Sequence, residues 1–173
     1  VRDFNRVLKA AQDRVLTVLG LILLSPLLLL TALIIKLTSR GPVLFRQERF
    51  GFNNKRIGVL KFRSMYVDRQ DPGGARRTVR GDSRVTPFGR LIRRLSIDEL
   101  PQLYNVLTGE MSIVGPRPHA TEMKVGDEYY FEAVRGYAAR HRVKPGITGL
   151  AQVRGLRGEI ATVERAKRRV EYD

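Results

Sequence analysis

The sequence has no cysteine and only two histidines, His119 and His141. The absence of cysteine excludes disulfide bonds and thiolate metal sites, and two histidines are too few for a zinc site built from a histidine cluster. Acidic residues are also scarce, because 17 Asp and Glu stand against 32 Lys and Arg, which gives a net charge of +15. This excess predicts a polyanionic partner, such as a nucleic acid, anionic lipid headgroups or a phosphorylated substrate.

Charge is absent from one long stretch, the 21 residues from Val15 to Ile35. As a straight helix this stretch would rise about 30 Å, which is enough to cross a bilayer. Ser25-Pro26 lies at its middle, and a proline there removes a backbone donor and predicts a kink or break. Basic residues flank both ends, so both have an equal claim to the cytoplasmic side. They are Arg2, Arg6, Lys9 and Arg14 before the stretch and Lys36, Arg40, Arg46 and Arg49 after it.

These features favour a re-entrant membrane hairpin over residues 1–37, with its elbow at Ser25-Pro26. The main alternative is a transmembrane helix that is only kinked at the proline. A further alternative is a buried helix in a soluble core, although a stretch without polar residues would be apolar on every face of such a helix.

Residues 38–173 read as a mixed, helix-rich cytoplasmic domain. Short apolar runs at 43–45 and 57–62, with a turn at 50–54, predict an antiparallel hairpin. Residues 68–83 are rich in Gly, Arg and Asp and predict a mobile loop that could act as a lid. Amphipathic spacing predicts one helix over 123–143 and a charged helix from about residue 160.

Two further helices frame the most informative segment. Residues 87–95 predict a short basic amphipathic helix, which either lies at the membrane interface or packs on the domain core. Ser96-Ile97-Asp98-Glu99 matches a capping box, and Pro101 requires that the next helix begin at Ser96 or Asp98. Either register places Asp98 and Glu99 at the positive end of that helix, which Gly109 terminates.

The Asp98-Glu99 pair is the strongest candidate for chemistry. Aspartate is ionised at neutral pH, and carboxylates act as nucleophiles, general bases or magnesium ligands. Arginines nearby in the sequence suit phosphoryl transfer, where positioning and charge neutralisation dominate. They are Arg90, Arg93, Arg94 and, further along, Arg117. The alternative is structural: Glu99 completes the capping box and Asp98 offsets neighbouring arginines.

Two other groups of residues could bind an anion. One is Lys61-Phe62-Arg63-Ser64. The other is Pro116-Arg117-Pro118, where the prolines fix the backbone of Arg117 and so could hold its guanidinium against a phosphate or a base. The alternative for the second group is a solvated turn.

The chain resembles the bacterial sugar transferases known as monotopic phosphoglycosyl transferases. Three segments carry the resemblance: the apolar stretch with Ser25-Pro26, residues 61–65, and residues 93–118. The stretch from Lys144 to Gly155 is similar to that of longer, exopolysaccharide-initiating members, and the abrupt start at Val1 suggests a fragment of such a chain. The resemblance implies an α/β, helix-rich fold: a re-entrant membrane helix-break-helix and a small cytoplasmic domain with a short antiparallel hairpin and interfacial amphipathic helices.

The same resemblance implies a mechanism. Asp98 would attack the β-phosphate of a UDP-sugar and release UMP, and the covalent phosphosugar would pass to undecaprenyl phosphate, with Glu99 assisting. Mg²⁺ would bridge Asp98 and the diphosphate. The substrate phosphates and the nucleotide would meet the other matched residues, which are Lys61, Arg63, Arg93, Pro116, Arg117 and Pro118.

The implied location is the cytoplasmic face of a bacterial inner membrane, in monotopic form. The implied partners are the UDP-sugar, undecaprenyl phosphate and membrane lipids, with no nucleic acid, and a homodimer by analogy with larger members. The sugar is not predicted. The rival hypothesis is a membrane-anchored basic module that binds nucleic acid or anionic lipid without catalysis and has no requirement for Asp98.

Overall fold

The computed structural model describes residues 2–71, 78–79, 81–125, 128–156 and 162–173. A 37-residue helix, α1 (Arg2–Thr38), precedes a mixed α/β domain. Part of the predicted lid, residues 72–77 and 80, lies outside the described residues, as does the segment 157–161.

Helix α1 turns an apolar face outward. From Phe4 to Thr38 it is long and apolar enough to cross a membrane by length and composition. Leu23 is 80% exposed, whereas Thr17 and Thr31 are buried against the rest of the chain. A water-soluble helix would place these groups the other way round, so this distribution is compatible with membrane anchoring.

The helix continues through Ser25-Pro26 without an interruption. Pro26 has no N–H to donate to the carbonyl of Ile22, and the hydroxyl of Ser25 donates to that carbonyl instead, at 2.8 Å. The serine thus satisfies the acceptor that the proline leaves, and α1 is one hydrogen-bonded helix where two separate helices were predicted. The sharp bend at Ser25-Pro26 that a re-entrant hairpin requires stays a prediction.

The predicted hairpin is confirmed. Strand β1 (Leu44–Phe50) pairs antiparallel with β2 (Arg56–Phe62), from Leu44 opposite Phe62 to Phe50 opposite Arg56. The connection is a 3₁₀ turn in which Asn53 and Asn54 adopt positive φ, a conformation that asparagine tolerates better than most residues.

Helix α2 (Pro87–Arg94) confirms the short basic helix. The hydroxyl of Thr86 accepts a hydrogen bond from the Gly89 N–H at 2.9 Å, and Pro87 occupies the first helical position. Buried Ile92 packs with Ile35 and Phe62, which joins α2 to α1 and β2. The helix thus packs on the core and still leaves Leu91 half exposed.

The remaining elements complete a second layer around the hairpin. Helix α3 (Gln102–Leu107) packs on β2 in an apolar cluster of Val59, Val106 and Met111. Ile113 of strand β3 (Ser112–Val114) packs against this cluster. Strand β6 (Gly146–Thr148) pairs parallel with β3. Helix α5 (Val163–Tyr172) confirms the charged helix, which was predicted to begin three residues earlier.

The predicted helix over 123–143 is wrong. The chain forms a strand pair, β4 (Lys124–Val125) and β5 (Glu128–Tyr129), then a single helical turn, α4 (Tyr130–Ala133), and a 3₁₀ segment, Tyr137–Arg142. Gly136 has φ 83° and separates the last two, since a left-handed residue cannot continue a right-handed helix. The aromatic spacing instead reflects a core cluster of Tyr130, Val134 and Tyr137.

Candidate active site

Asp98 and Glu99 lie in a tight turn between α2 and α3. Ser96 adopts the left-handed conformation and its side chain makes no capping bond, so the predicted capping box is wrong. Residues Ile97–Glu99 form a 3₁₀ turn, and α3 begins only after Pro101, whose missing N–H could not serve inside a helix begun at Ser96. Both carboxylates are buried, at 8% and 9% exposure.

Glu99 is held by two cations from separate parts of the chain. The Nζ of Lys61 on β2 lies 3.3 Å from its Oε1. Arg117 binds both carboxylate oxygens, with Nη1 donating to Oε2 at 3.0 Å and Nη2 donating to Oε1. A bidentate arginine fixes both the position and the orientation of a carboxylate. Glu99 is therefore a structural link between the hairpin and the Pro-Arg-Pro turn.

Asp98 is left available. No side-chain hydrogen bond holds its carboxylate within the described part of the chain, and it lines a cavity of about 90 Å³ together with Lys61, Arg84 and Arg93. Burial raises the pKa of Asp98 and the charge of Glu99 adds to the rise, whereas Lys61, Arg93 and Arg117 oppose it. A carboxylate that faces a cationic cavity without a protein partner suits a nucleophile or a ligand.

Lys61 is close to both carboxylates, and its charge is sensitive to pH. Burial, helped by the charge of nearby Arg49 and opposed by that of Glu99, lowers its pKa to about 8. The ammonium group is thus protonated at neutral pH and becomes neutral only slightly above it.

The predicted binding residues separate into two groups. Lys61, Arg93 and Arg117 meet at the dyad or its cavity. Arg63 does not join them. Its guanidinium donates to the carbonyls of Ser39 and Arg40 at 2.7 and 2.6 Å, and so satisfies main-chain acceptors that follow the C-terminus of α1. Ser25 and Pro26 lie within α1.

Sequence reasoning missed Gln152. Its Oε1 accepts a hydrogen bond from Nη1 of Arg117 at 3.0 Å, and its Nε2 donates to the carbonyl of Ile147 at 2.8 Å. The sequence signal for Gln152 is its place in the Lys144–Gly155 stretch, which contributes to the family resemblance but predicts no role for this residue. Asp71 and Arg84, which line the cavity, were also missed, because Asp71 belongs to the aperiodic segment 68–83 and Arg84 directly follows it.

The donor set at the cavity suits a magnesium ion that is shared with a substrate. Among the described residues, no group of three or more His, Asp or Glu could hold a metal. Two carboxylates, Asp71 and Asp98, nevertheless line the same cavity. Because Mg²⁺ commonly binds one or two carboxylates together with substrate phosphates and water, these residues fit an ion that binds with a diphosphate.

An apolar groove of about 410 Å³ lies beside Glu99. Leucine, isoleucine and valine side chains make up most of its wall, and Gln152 and Glu99 form its polar edge. Leu103 on this wall is also the side chain nearest Gly20 of α1. Asp98 therefore lines the charged cavity, and Glu99 lines an apolar groove that approaches α1.

Comparisons with known proteins identify a family and several relatives of this chain. The family model described as "Bacterial sugar transferase" matches residues 4–173. The chain is 58% identical over 171 residues to an undecaprenyl-phosphate glucose phosphotransferase of Komagataeibacter xylinus. This alignment covers 99% of the chain and 32% of the relative. It is 54% identical to a UDP-glucose:undecaprenyl-phosphate glucose-1-phosphate transferase of Escherichia coli (strain K12), covering 98% of this chain and 36% of the relative.

A third relative has a more similar length. The chain is 51% identical to the exopolysaccharide production protein PSS of Rhizobium leguminosarum bv. phaseoli, covering 96% of this chain and 84% of that protein. By contrast, the chain spans about a third of the length of the first two relatives. With a family model that matches nearly its whole length, the chain belongs to the bacterial sugar transferase family.

Proposed function

We propose that this protein transfers a sugar 1-phosphate from a UDP-sugar to undecaprenyl phosphate at a membrane surface. The observation that carries the proposal is the contrast within the dyad. Glu99 is clamped by Lys61 and Arg117, whereas Asp98 faces a cationic cavity without a protein hydrogen-bond partner in the described residues. The name of the Escherichia coli relative gives UDP-glucose as that protein's donor and undecaprenyl phosphate as its acceptor, which supports both proposed substrates and makes UDP-glucose the first donor to test.

The chemistry proceeds in two displacements. An Asp98 carboxylate oxygen attacks the β-phosphorus of the UDP-sugar, the bond from that phosphorus to the oxygen bridging the two phosphates breaks, and UMP leaves with that oxygen. An oxygen of undecaprenyl phosphate then attacks the same phosphorus, and Asp98 leaves as a carboxylate. The products are UMP and undecaprenyl diphosphate sugar.

The surrounding residues supply charge and position. Arg93 and Lys61 lie on the cavity wall, where they neutralise the phosphate oxygens as charge develops. Asp71 and Asp98 would hold Mg²⁺ against the diphosphate, and the ion would supply further charge neutralisation. Glu99 keeps Lys61 and Arg117 in place beside the nucleophile, so its role is to position the two cations.

The apolar groove suits the lipid acceptor. Its wall of aliphatic side chains borders the dyad and approaches α1, so a polyprenyl chain could lie there with its phosphate at Asp98. We propose this groove for the acceptor and the charged cavity for the donor phosphates.

Release of UMP tests the reaction. The chain in detergent is incubated with Mg²⁺, undecaprenyl phosphate and UDP-glucose, with other UDP-sugars as a panel. We expect UMP from the wild type and none from Asp98→Asn, while Asp68→Asn serves as the matched control because Asp68 is exposed and pairs with the neighbouring Arg69. Activity that survives Asp98→Asn would contradict the proposal, and a binding module would release no UMP at all.

The contacts of α1 support a re-entrant course. Asp13 accepts a hydrogen bond from Ser112, and Ile35 packs against Phe62 and Ile92 of the same domain. Along a straight helix these two positions would be about 33 Å apart, roughly the thickness of the hydrocarbon core. A domain on one side of the membrane cannot contact both ends of such a span, so we propose that α1 enters and leaves on the cytoplasmic side.

Labelling tests this topology directly. Because the chain has no cysteine, Gln12→Cys and Thr38→Cys each introduce a single reactive thiol, one on each flank of the apolar stretch. We expect an impermeant thiol reagent to label both variants from the cytoplasmic side only. Labelling of the two variants from opposite sides would show a transmembrane helix.

A further inference from the structure

Each carbonyl of the Pro116-Arg117-Pro118 turn accepts a hydrogen bond from outside the turn. The carbonyl of Pro116 accepts from the Gly146 N–H at 2.9 Å. The carbonyls of Arg117 and Pro118 accept from two arginine side chains, Nη2 of Arg140 at 2.6 Å and Nη1 of Arg49 at 2.7 Å. Two of the three residues are prolines and have no N–H to donate, so these carbonyls provide much of the turn's backbone hydrogen bonding.

Arg140 is itself held in place by buried partners. Its side chain is 1% exposed and forms an ion pair with Asp173, the residue that follows α5 and caps its C-terminus. Its Nη1 also contacts the imidazole of His119. Burial and the neighbouring arginines lower the pKa of His119 well below its usual value, so the ring is neutral and can accept a hydrogen bond from Arg140. The guanidinium therefore has a defined orientation.

These contacts form a continuous series that ends at the Asp98-Glu99 dyad. Asp173 and His119 orient Arg140, Arg140 holds the carbonyl of Arg117, and the side chain of Arg117 binds Glu99. Arg140 borders neither the charged cavity nor the apolar groove, and it lies 23 residues from Arg117 in sequence. A buried guanidinium is costly unless it is paired, so apolar packing alone does not account for an arginine at this position.

We propose that Arg140 is a positioning residue, which holds the main chain of Arg117 so that the Arg117 guanidinium meets Glu99 beside Asp98. The inference rests on the proposed function and adds to it a residue that touches neither substrate. Since a displacement of about 1 Å at a catalytic group can reduce a rate by roughly a hundredfold, a smaller shift of Arg117 should be measurable.

A double-mutant cycle separates positioning from general structural support. Lysine keeps the charge at position 140 but cannot reproduce the contacts of the guanidinium. We expect Arg140→Lys to lower kcat/KM for UMP release roughly tenfold in the wild type. In the Arg117→Ala background it should lower kcat/KM by less than about twofold, because the group on which it acts is already missing.

Arg63→Lys is the matched control. Arg63 is 2% exposed and also donates to main-chain carbonyls, but to those of Ser39 and Arg40 at the end of α1 instead of the Pro-Arg-Pro turn. Its effect should be the same in both backgrounds. Equal fold losses for Arg140→Lys in both backgrounds would overturn the proposal. If Arg140→Lys fails to unfold cooperatively, Arg140→Gln replaces it in the cycle, and the same pattern is expected.

A structure of the Arg140→Lys variant gives a readout that does not depend on activity. The proposal predicts that the 3.0 Å contact between Nη1 of Arg117 and Oε2 of Glu99 lengthens beyond hydrogen-bond distance while the fold persists. An unchanged contact overturns the inference. If the wild type releases no UMP from any donor, the proposed function fails, and this structure still decides whether Arg140 positions Arg117.

Discussion

The two carboxylates of the dyad should respond in opposite ways to neutral substitution. Glu99 is the counter-ion of Lys61 and Arg117, and the three side chains are 11%, 16% and 18% exposed. Removing one partner of a buried ion pair costs about 3–5 kcal/mol. Because glutamine can still accept one hydrogen bond from Arg117, we expect Glu99→Gln to lower the free energy of unfolding by about 2–3 kcal/mol.

Asp98→Asn should not destabilise the protein. Burial raises the pKa of Asp98, so the folded state holds the charged carboxylate less favourably than the unfolded chain does. The neutral amide removes that penalty, and the free energy of unfolding should stay the same or rise. Activity should be lost in both variants, completely in Asp98→Asn and by about a hundredfold or more in Glu99→Gln.

Thermal unfolding in detergent measures the difference. The chain has no tryptophan, so far-ultraviolet circular dichroism is a suitable probe. We expect the midpoint to fall by about 5–10 °C in Glu99→Gln and to hold or rise in Asp98→Asn. Glu48→Gln is the control, because its pair with Arg56 is exposed and should contribute about 1 kcal/mol or less. Equal destabilisation of the two dyad variants would refute the division of roles.

Three further results are expected. The kcat/KM for UMP release should fall above about pH 8 as Lys61 loses its proton, and this alkaline limb should move upward in Lys61→Arg. Chelation of Mg²⁺ should abolish UMP release and leave the unfolding midpoint unchanged, since no described cluster holds a metal without substrate. Thr86→Ala should lower the free energy of unfolding by about 1 kcal/mol, because it removes the cap of α2, and chemical denaturation in detergent would detect the loss.

Local patterns predicted the parts of the fold that depend on neighbours in sequence. The β1–β2 hairpin followed from two apolar runs around an asparagine turn, and α2 followed from the amphipathic spacing that begins at Pro87. The pattern failed over 123–143, where the tyrosines and the phenylalanine suggested one helical face. There Gly136 ends the helical path, and the aromatic side chains pack into a core that involves distant Ala166.

The candidate site shows the same limit. Asp98 and Glu99 were predicted together, but their separate roles depend on Lys61 and Arg117, which the fold brings from β2 and from a turn after β3. Arg63 and Lys61 are two residues apart on an extended segment and were predicted to share a role, yet only Lys61 reaches the dyad. The Arg140 contact with Arg117 joins positions 23 residues apart, and no local motif encodes it.

The central claim is that Asp98 becomes covalently attached to the sugar phosphate. Incubating the protein with Mg²⁺ and UDP-glucose without undecaprenyl phosphate, followed by rapid quenching and peptide mass spectrometry, tests it directly. We predict UMP in an amount that does not exceed that of the enzyme, and a hexose phosphate on the peptide that contains Asp98. UMP formation that requires both substrates, with no modified peptide at any time, would contradict the account.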